Sequence, residues 1–186
     1  MPSLSRETFD SLEFDAAASG DHTAAAQKMT RLATVGTETP GMPRAEAFLR
    51  TADQWMLADD PAEAADWYRR ALADGGSASV DPRVGLARAL FQLGREAEAQ
   101  RLLSTLTAER PADPRTCDLA AELLVDRGDM MGALGWATTG VELCLAAGQR
   151  LDGAASELVL LLRLRYRIRN DLGLPGDDYD ALLDES

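Results

Sequence analysis

Apolar and small residues recur at the three- and four-residue spacing of a helix face along most of the chain, and polar punctuation breaks the pattern at regular intervals. The spacing predicts helices over about 5–19, 22–35, 43–58, 61–74, 82–93, 95–109, 114–127, 129–147 and 152–172. No segment between 1 and 150 alternates like a strand. The breaks carry their own signals. Asp60-Pro61, Asp81-Pro82 and Asp113-Pro114 each pair a side chain that caps a helix start with a proline suited to the first helical position, and Glu63 completes a capping box with Asp60. Gly20, Gly94 and Gly128 each follow a helix pattern and precede Asp or Arg, as expected of hairpin corners where only glycine turns left-handed without penalty.

The chain also superposes on itself. A shift of 34 residues places Leu86, Ala87, Leu90, Gly94 and Ala99 on Ala120, Ala121, Leu124, Gly128 and Ala133. A shift of 35 places Ala52, Trp55, Ala64, Tyr68 and Ala71 on Ala87, Leu90, Ala99, Leu103 and Leu106, and a shift of 39 places Phe9, Ala25 and Met29 on Phe48, Ala64 and Tyr68. The extra length falls in Gly36–Pro43, which reads as a surface loop. Repeats are therefore expected near 6–44, 45–79, 80–113 and 114–147.

On these residues the chain resembles the tetratricopeptide repeat family, whose period is 34 residues. The likeness is clearest at 80–113, where Leu86-Ala87 stands for the family's Leu-Gly, Leu90 for its Tyr, Gly94 for the turn, Ala99 for the close crossing and Pro111 for the end of the second helix. In the last repeat Gly140 replaces the late alanine. The resemblance implies an all-α, right-handed helical-hairpin superhelix of about four repeats (1–148), with a capping helix over 149–173 and an acidic tail over 174–186. An irregular Ala-rich bundle shares the periodicity, but not the starts and stops recurring at the spacing of the repeat.

Charge narrows the function. The formal net charge is −12, which repels phosphate backbones and anionic lipid, so neither nucleic acid nor membrane is an expected partner. No apolar run approaches the length of a membrane span, residues 1–15 have no leader-like apolar stretch, and two cysteines are too few for a stapled secreted scaffold. The expected location is the cytoplasm.

The one dense basic cluster is Arg163, Arg165, Arg167 and Arg169. On a helix these split into two arcs, each an i,i+4 pair, rather than one groove-binding face. Two readings stand: pairing with the acids Asp177, Asp178, Asp180, Asp184 and Glu185, or docking of an acidic partner. The stripes Leu161, Leu164, Ile168, Leu172 and Val159, Leu162, Tyr166 want two neighbours, of which the second is the tail or another copy of the chain. Self-association through Arg163, Arg165, Tyr166, Arg167 and Arg169 is thus a candidate. The alternation of 162–169 also permits a strand, but an isolated strand would have no partner. This Arg-rich helix and acidic end resemble the C-termini of actinobacterial repeat proteins, some of which carry a zinc-binding segment. The Cys/His cluster that such a segment needs is absent here, and no metal role carries over.

The resemblance implies that the first helices of the hairpins line a concave groove for a protein or peptide. Its positions fall on Arg50, Asp53 and Met56, on Arg88, Phe91 and Gln92, and on Arg115, Asp118, Glu122 and Asp126. Met56 and Phe91 are candidate anchors, although Phe91 equally suits packing on the next hairpin. The family's carboxylate clamp of Lys and Asn cannot form, because Lys28 lies on a second helix and Asn170 outside the repeats.

Catalytic chemistry finds no support. His22, the only histidine, reads as a surface residue at a helix start, and Cys117 and Cys144 as core thiols. Paired acids sit at caps and solvated faces, the tryptophans at core spacing, and phosphate or dinucleotide loops are missing. The expectation is a protein-binding scaffold, or alternatively a self-associating module, with no cofactor and no enzymatic activity.

Overall fold

The computed structural model describes residues 4–37, 39, 41–109, 113–149 and 156–184. Ten helices lie among them: α1 (Arg6–Ser19), α2 (His22–Val35), α3 (Arg44–Leu57), α4 (Pro61–Asp74), α5 (Pro82–Gln92), α6 (Glu96–Glu109), α7 (Pro114–Asp126), α8 (Met130–Ala146), α9 (Glu157–Asp171) and α10 (Asp178–Asp184). The first eight match the expected spans to within a residue or so at either end. Pro111 and the expected helix start near 152 lie outside the described residues.

Helix boundaries follow from side-chain chemistry. Asp21, Asp60, Asp81, Asp113 and Asp129 each accept a hydrogen bond from a backbone N–H of the first helical turn, at 2.7–3.1 Å. Every one of these aspartates leaves a donor satisfied that would otherwise have no partner. The hairpin corners share one geometry. At Gly94 and Gly128 the chain turns left-handed, and the next residue's N–H returns to the carbonyl of Leu90 or Leu124 at 2.8 and 2.9 Å.

The equivalent corner between α3 and α4 is held by Asp59, at φ 59°, with Asp60 N–H reaching the Trp55 carbonyl at 3.0 Å. Three corners, at 59, 94 and 128, thus repeat at the period read from the sequence. Asp59 is the only described residue other than glycine in this region of backbone space, where a side chain is disfavoured. Asp59→Gly is expected to stabilise the fold by about 0.5 kcal/mol and Asp59→Ala to weaken it by about 1 kcal/mol. Urea midpoints of the two variants check the sign.

Packing divides the chain into two compact units, Met1–Leu106 and Thr107–Ser186. The division falls near the end of α6, and the last hairpin packs with α9 in the second unit. In the first unit α2 packs on α1 and α3, α4 packs on α3 and α5, and α3 also touches α1 and α5. The first helices α1, α3 and α5 therefore lie side by side in one layer, with α2 and α4 behind them. Buried alanines at the crossings, Ala25, Ala64 and Ala99, allow the close approach.

The segment expected as a surface loop reaches this core through Met42, while Thr37 and Gly41 stay exposed. Leu4 N–H donates to the Thr37 carbonyl and Thr39 Oγ1 to the Leu4 carbonyl, both at 2.8 Å. Leu4 and Met42 are fully buried with Phe9, Met29 and Ala47.

The second unit stacks α7 on α8, α8 on α9 and α9 on α10. Its core joins Val141, Cys144, Leu158, Leu161 and Leu162, with Tyr179, Leu182 and Leu183 of α10 packed against them. Gly140 has a physical reason here: a Cβ at that position would come within 2.8 Å of Leu161 and 3.0 Å of Cys117. The acidic tail is corrected in one respect, since its residues 178–184 form α10, docked on the body. Of the expected stripe Val159, Leu162 and Tyr166, the first two are buried and Tyr166 is half exposed, so it does not serve the core.

Candidate protein-binding site

Charged side chains from α1, α3 and α5 meet within their shared layer. Asp53, on α3, accepts a hydrogen bond from the Tyr68 hydroxyl of α4 at 2.6 Å. Tyr68 reaches it because Gly85 of α5 leaves room: a Cβ there would stand 2.3 Å from the ring. Asp53 keeps over a third of its own surface open to solvent, yet protein surrounds it closely, and it feels the charges of Glu13 on α1, Glu46 on α3 and Arg88 on α5. Surface area measures access and the surroundings measure desolvation, so the two together describe a carboxylate in a recess. Desolvation pushes its pKa up to about 6, opposed by the Tyr68 hydrogen bond and by Arg88.

Arg50, expected to face a ligand, is instead buried within the unit. Its Nε donates to Glu13 Oε1 at 2.8 Å, and its Nη2 donates to Glu13 Oε2 and Asp10 Oδ1 at 2.6 Å each. Its guanidinium also lies over the Phe9 ring, 5.6 Å from the centroid. The acids Asp10 and Glu13 lie on α1, about one repeat upstream, and this ion pairing locks α1 to α3. Glu46 is buried as well and accepts from Ser79 N–H at 2.6 Å.

The remaining expected positions of this unit stay reachable. Met56 lies three residues after Asp53 on α3, and Phe91 three residues after Arg88 on α5. Met56, Arg88 and Phe91 are half-buried and Gln92 is exposed. Such i,i+3 neighbours share a helix face. The first unit therefore brings Asp53, Met56, Arg88, Phe91 and Gln92 to one layer and withdraws Arg50 from it. Sequence reasoning missed Asp10, Glu13, Glu46 and Tyr68. The i,i+3 acid pair Asp10 and Glu13, set against Arg50 one repeat later, was the available signal for the first two.

In the second unit Arg115 and Glu122 are exposed on α7 and Asp118 is half-buried between them in sequence. Desolvation raises the Asp118 carboxyl, helped by Glu122 and Glu157 and opposed by Arg115. Asp126 is exposed near the end of the same helix.

The four C-terminal arginines divide as their arcs require. Arg165 is buried and donates to Asp177 through both Nη atoms, at 2.9 and 2.5 Å. It also donates to Asp180 and to Thr138 Oγ1 at 3.1 Å, and stacks over the Tyr179 ring at 4.8 Å. Arg169 meets Asp177 at 3.0 Å and Asp180 at 3.1 Å, and donates to the Pro175 carbonyl. Pairing with the tail therefore holds for Arg165 and Arg169, with Asp177 and Asp180 as partners. Arg163 and Arg167 are exposed, and neither has a partner among the described residues.

The Arg165 hydrogen bond holds the Asp177 carboxyl below its ordinary range. A carboxylate whose folded pKa lies below its unfolded value of about 3.9 stabilises at neutral pH and loses that contribution as pH falls through the folded value. The protection of 178–183 against hydrogen exchange, relative to the intrinsic rate at each pH, is thus expected to be high at pH 6 and to fall on acidification below about pH 4.

His22 is not a bare surface residue: its Nδ1 lies 3.1 Å from Gln54 Oε1, joining the start of α2 to α3. Trp67 and Trp136 are buried, and Trp55 Nε1 donates to Thr30 Oγ1 at 3.0 Å. Cys117 and Cys144 are free and fully buried, and desolvation raises their thiols to about 12 and about 11. Such thiols remain protonated and unreactive at neutral pH. No described helix is long and apolar enough to cross a membrane.

These layered hairpins are the architecture that the 34-residue period implies. Residues 56–129 match the tetratricopeptide repeat family. The matched stretch runs from the end of α3 to the turn before α8 and contains the corners at Gly94 and Gly128. No curated protein and no solved structure shows a significant match to the chain. Tetratricopeptide repeats generally mediate protein–protein interaction and are a non-catalytic scaffold type.

Proposed function

We propose that the chain is a cytoplasmic protein-interaction scaffold whose first unit holds a segment of another protein against α1, α3 and α5. The observation that carries this reading is Asp53, a solvent-open carboxylate in a recess with Tyr68 as its hydrogen-bond donor. A partly desolvated anion is a poor choice for stability and a good one for capture of a cation, because a partner's charge replaces lost water. Arg50 already answers Asp10 and Glu13, which leaves Asp53 to face a ligand. Met56 and Phe91 offer apolar contact beside it, and Arg88 and Gln92 offer polar contact. The favoured partner segment is therefore a peptide with a Lys or Arg next to an apolar side chain. Arg115, Asp118 and Glu122 present a second polar face on the other unit in the same role.

The pKa of Asp53 makes a thermodynamic prediction. An unfolded chain releases this proton near pH 4 and the folded one near 6, so stability falls as pH rises through that window. Solvent access screens part of the penalty. Asp53→Asn removes it while keeping an acceptor for Tyr68. This variant is expected to melt slightly higher than wild type at pH 7 and to lose its preference for basic peptides.

Selection from a displayed random-peptide library tests both. Wild type should enrich basic–apolar segments, Asp53→Asn should enrich without basic preference, and Phe91→Ala should weaken the selected peptides about tenfold or more. Recovery of the same peptides with equal affinity by all three proteins would contradict the site.

A further inference from the structure

Among the described residues two surfaces are left without a partner, and their chemistry is complementary. The first is the outward face of α1. Phe14 is 75% exposed, more than any other large apolar side chain described. Helical spacing places Glu7, Asp10, Ser11 and Ala18 around it, with Asp15 farther along the same exposed arc and Arg6 at the opposite edge. Glu7 and Asp15 are exposed and have no side-chain partner among the described residues.

The second is the outward face of α9. Arg163 and Arg167 form its centre, one turn apart, with Leu160 on one side and Tyr166 on the other, each 47% exposed. Asn170 continues the stripe and Asp171 marks its margin. The opposite arc of α9 is fully used, since Leu158, Leu161, Leu162, Leu164 and Ile168 are buried and Arg165 is paired with α10.

One face is an aromatic ring among acids and the other a pair of unpaired arginines between two apolar side chains. The helices that carry them are 14 and 15 residues long, about 20 Å each at the helical rise. We infer that α1 of one copy of this chain packs on α9 of the next, a head-to-tail contact in which Phe14 inserts between Leu160 and Tyr166 while Arg163 and Arg167 meet Glu7 and Asp15. Charge decides the choice of occupant. A contact of α9 with α9 would oppose four arginines, and one of α1 with α1 would oppose acids, so each face fits the other and not itself. A heterologous contact leaves one acidic and one basic face free at the ends of every open assembly, so further copies add until a ring closes. A single helix-on-helix contact is small, which places the association in the weak, concentration-dependent range.

The test is weight-average mass by light scattering between about 10 μM and about 1 mM, the range of weak interfaces. Wild type should grow in mass with concentration. Phe14→Ala should shift that growth to concentrations about tenfold higher or more. Glu7→Arg with Asp15→Arg reverses one face, and Arg163→Glu with Arg167→Glu reverses the other. Each double variant alone should be monomeric, because like charges then face each other. An equimolar mixture should again grow in mass with concentration, as a chain in which the two variants alternate, because each face of one variant then meets an oppositely charged face of the other. All five positions are exposed, and unchanged melting temperatures confirm that the variants fold.

A wild type that remains monomeric over the whole range overturns the inference, as does growth that survives Phe14→Ala. Growth abolished by the α9 reversal but untouched by the α1 reversal would mean an α9-to-α9 dimer and would equally overturn it. The substituted side chains are not those proposed to hold a peptide, so either outcome leaves that reading standing on its own test.

Discussion

Gly85→Ala is expected to destabilise the first unit by up to about 2 kcal/mol, although the same change in an exposed helix would stabilise it. Replacing a helical glycine gains roughly 1 kcal/mol of propensity. Here the new Cβ would stand 2.3 and 2.4 Å from Tyr68 Cε1 and Cζ, and overpacking of this kind costs about 1–3 kcal/mol. The ring is a rigid neighbour, held at its far end by the hydrogen bond to Asp53. It must move, and Asp53 then loses its hydroxyl donor. The variant should therefore melt lower and lose affinity for basic peptides together. A melting temperature at or above wild type would show that the Tyr68 ring yields without strain.

Arg165→Ala is expected to release α10. Removing one partner of a buried ion pair costs about 3–5 kcal/mol when the other charge stays buried. Asp177 and Asp180 escape that fate, because the seven-residue α10 can leave the surface and rehydrate both. The full penalty is thus not paid by the body of the unit, and the result is local unfolding. Hydrogen exchange should lose protection over 178–183 while the core around Cys144 and Leu161 keeps most of its own. Uniform loss across α7–α9 would mean that α10 is integral to that core, and unchanged protection at 178–183 would mean that Tyr179, Leu182 and Leu183 hold it without the arginine.

Much of the fold could be read directly from residues with strong local preferences. Asp before Pro marked the starts of α4, α5 and α7, and glycine marked the corners at 20, 94 and 128, because caps and left-handed turns are decided within a few residues. The corner at Asp59 was not marked, since aspartate adopts that conformation only when the surrounding hairpin imposes it. The helix α10 was missed for a related reason. Seven residues with three aspartates have no helical tendency of their own, and only Arg165, Arg169 and the apolar face beneath make the helix stable.

The site was legible as positions and not as states. The period placed Asp53, Met56, Arg88, Phe91 and Gln92 on first helices, and those helices share a layer. It placed Arg50 there too, but whether an arginine faces solvent or a neighbouring repeat depends on what the adjacent helix offers. Here α1 offers Asp10 and Glu13. The recess that raises the Asp53 carboxyl likewise depends on Tyr68 and on the missing side chain at Gly85, contacts made across three helices. Gly140 shows the same limit from another side: it departs from the repeat pattern because Leu161, outside the repeats, needs the space.

Peptide binding by the α1, α3 and α5 layer is the central claim, and backbone amide shifts during titration with a library-selected basic–apolar peptide test it most directly. The perturbed amides should cluster on α3 and α5 around Asp53, Met56, Arg88 and Phe91, and Asp53→Asn should weaken the effect. Perturbations confined to α2 and α4, or to α9, with the α3 and α5 amides unmoved would contradict it.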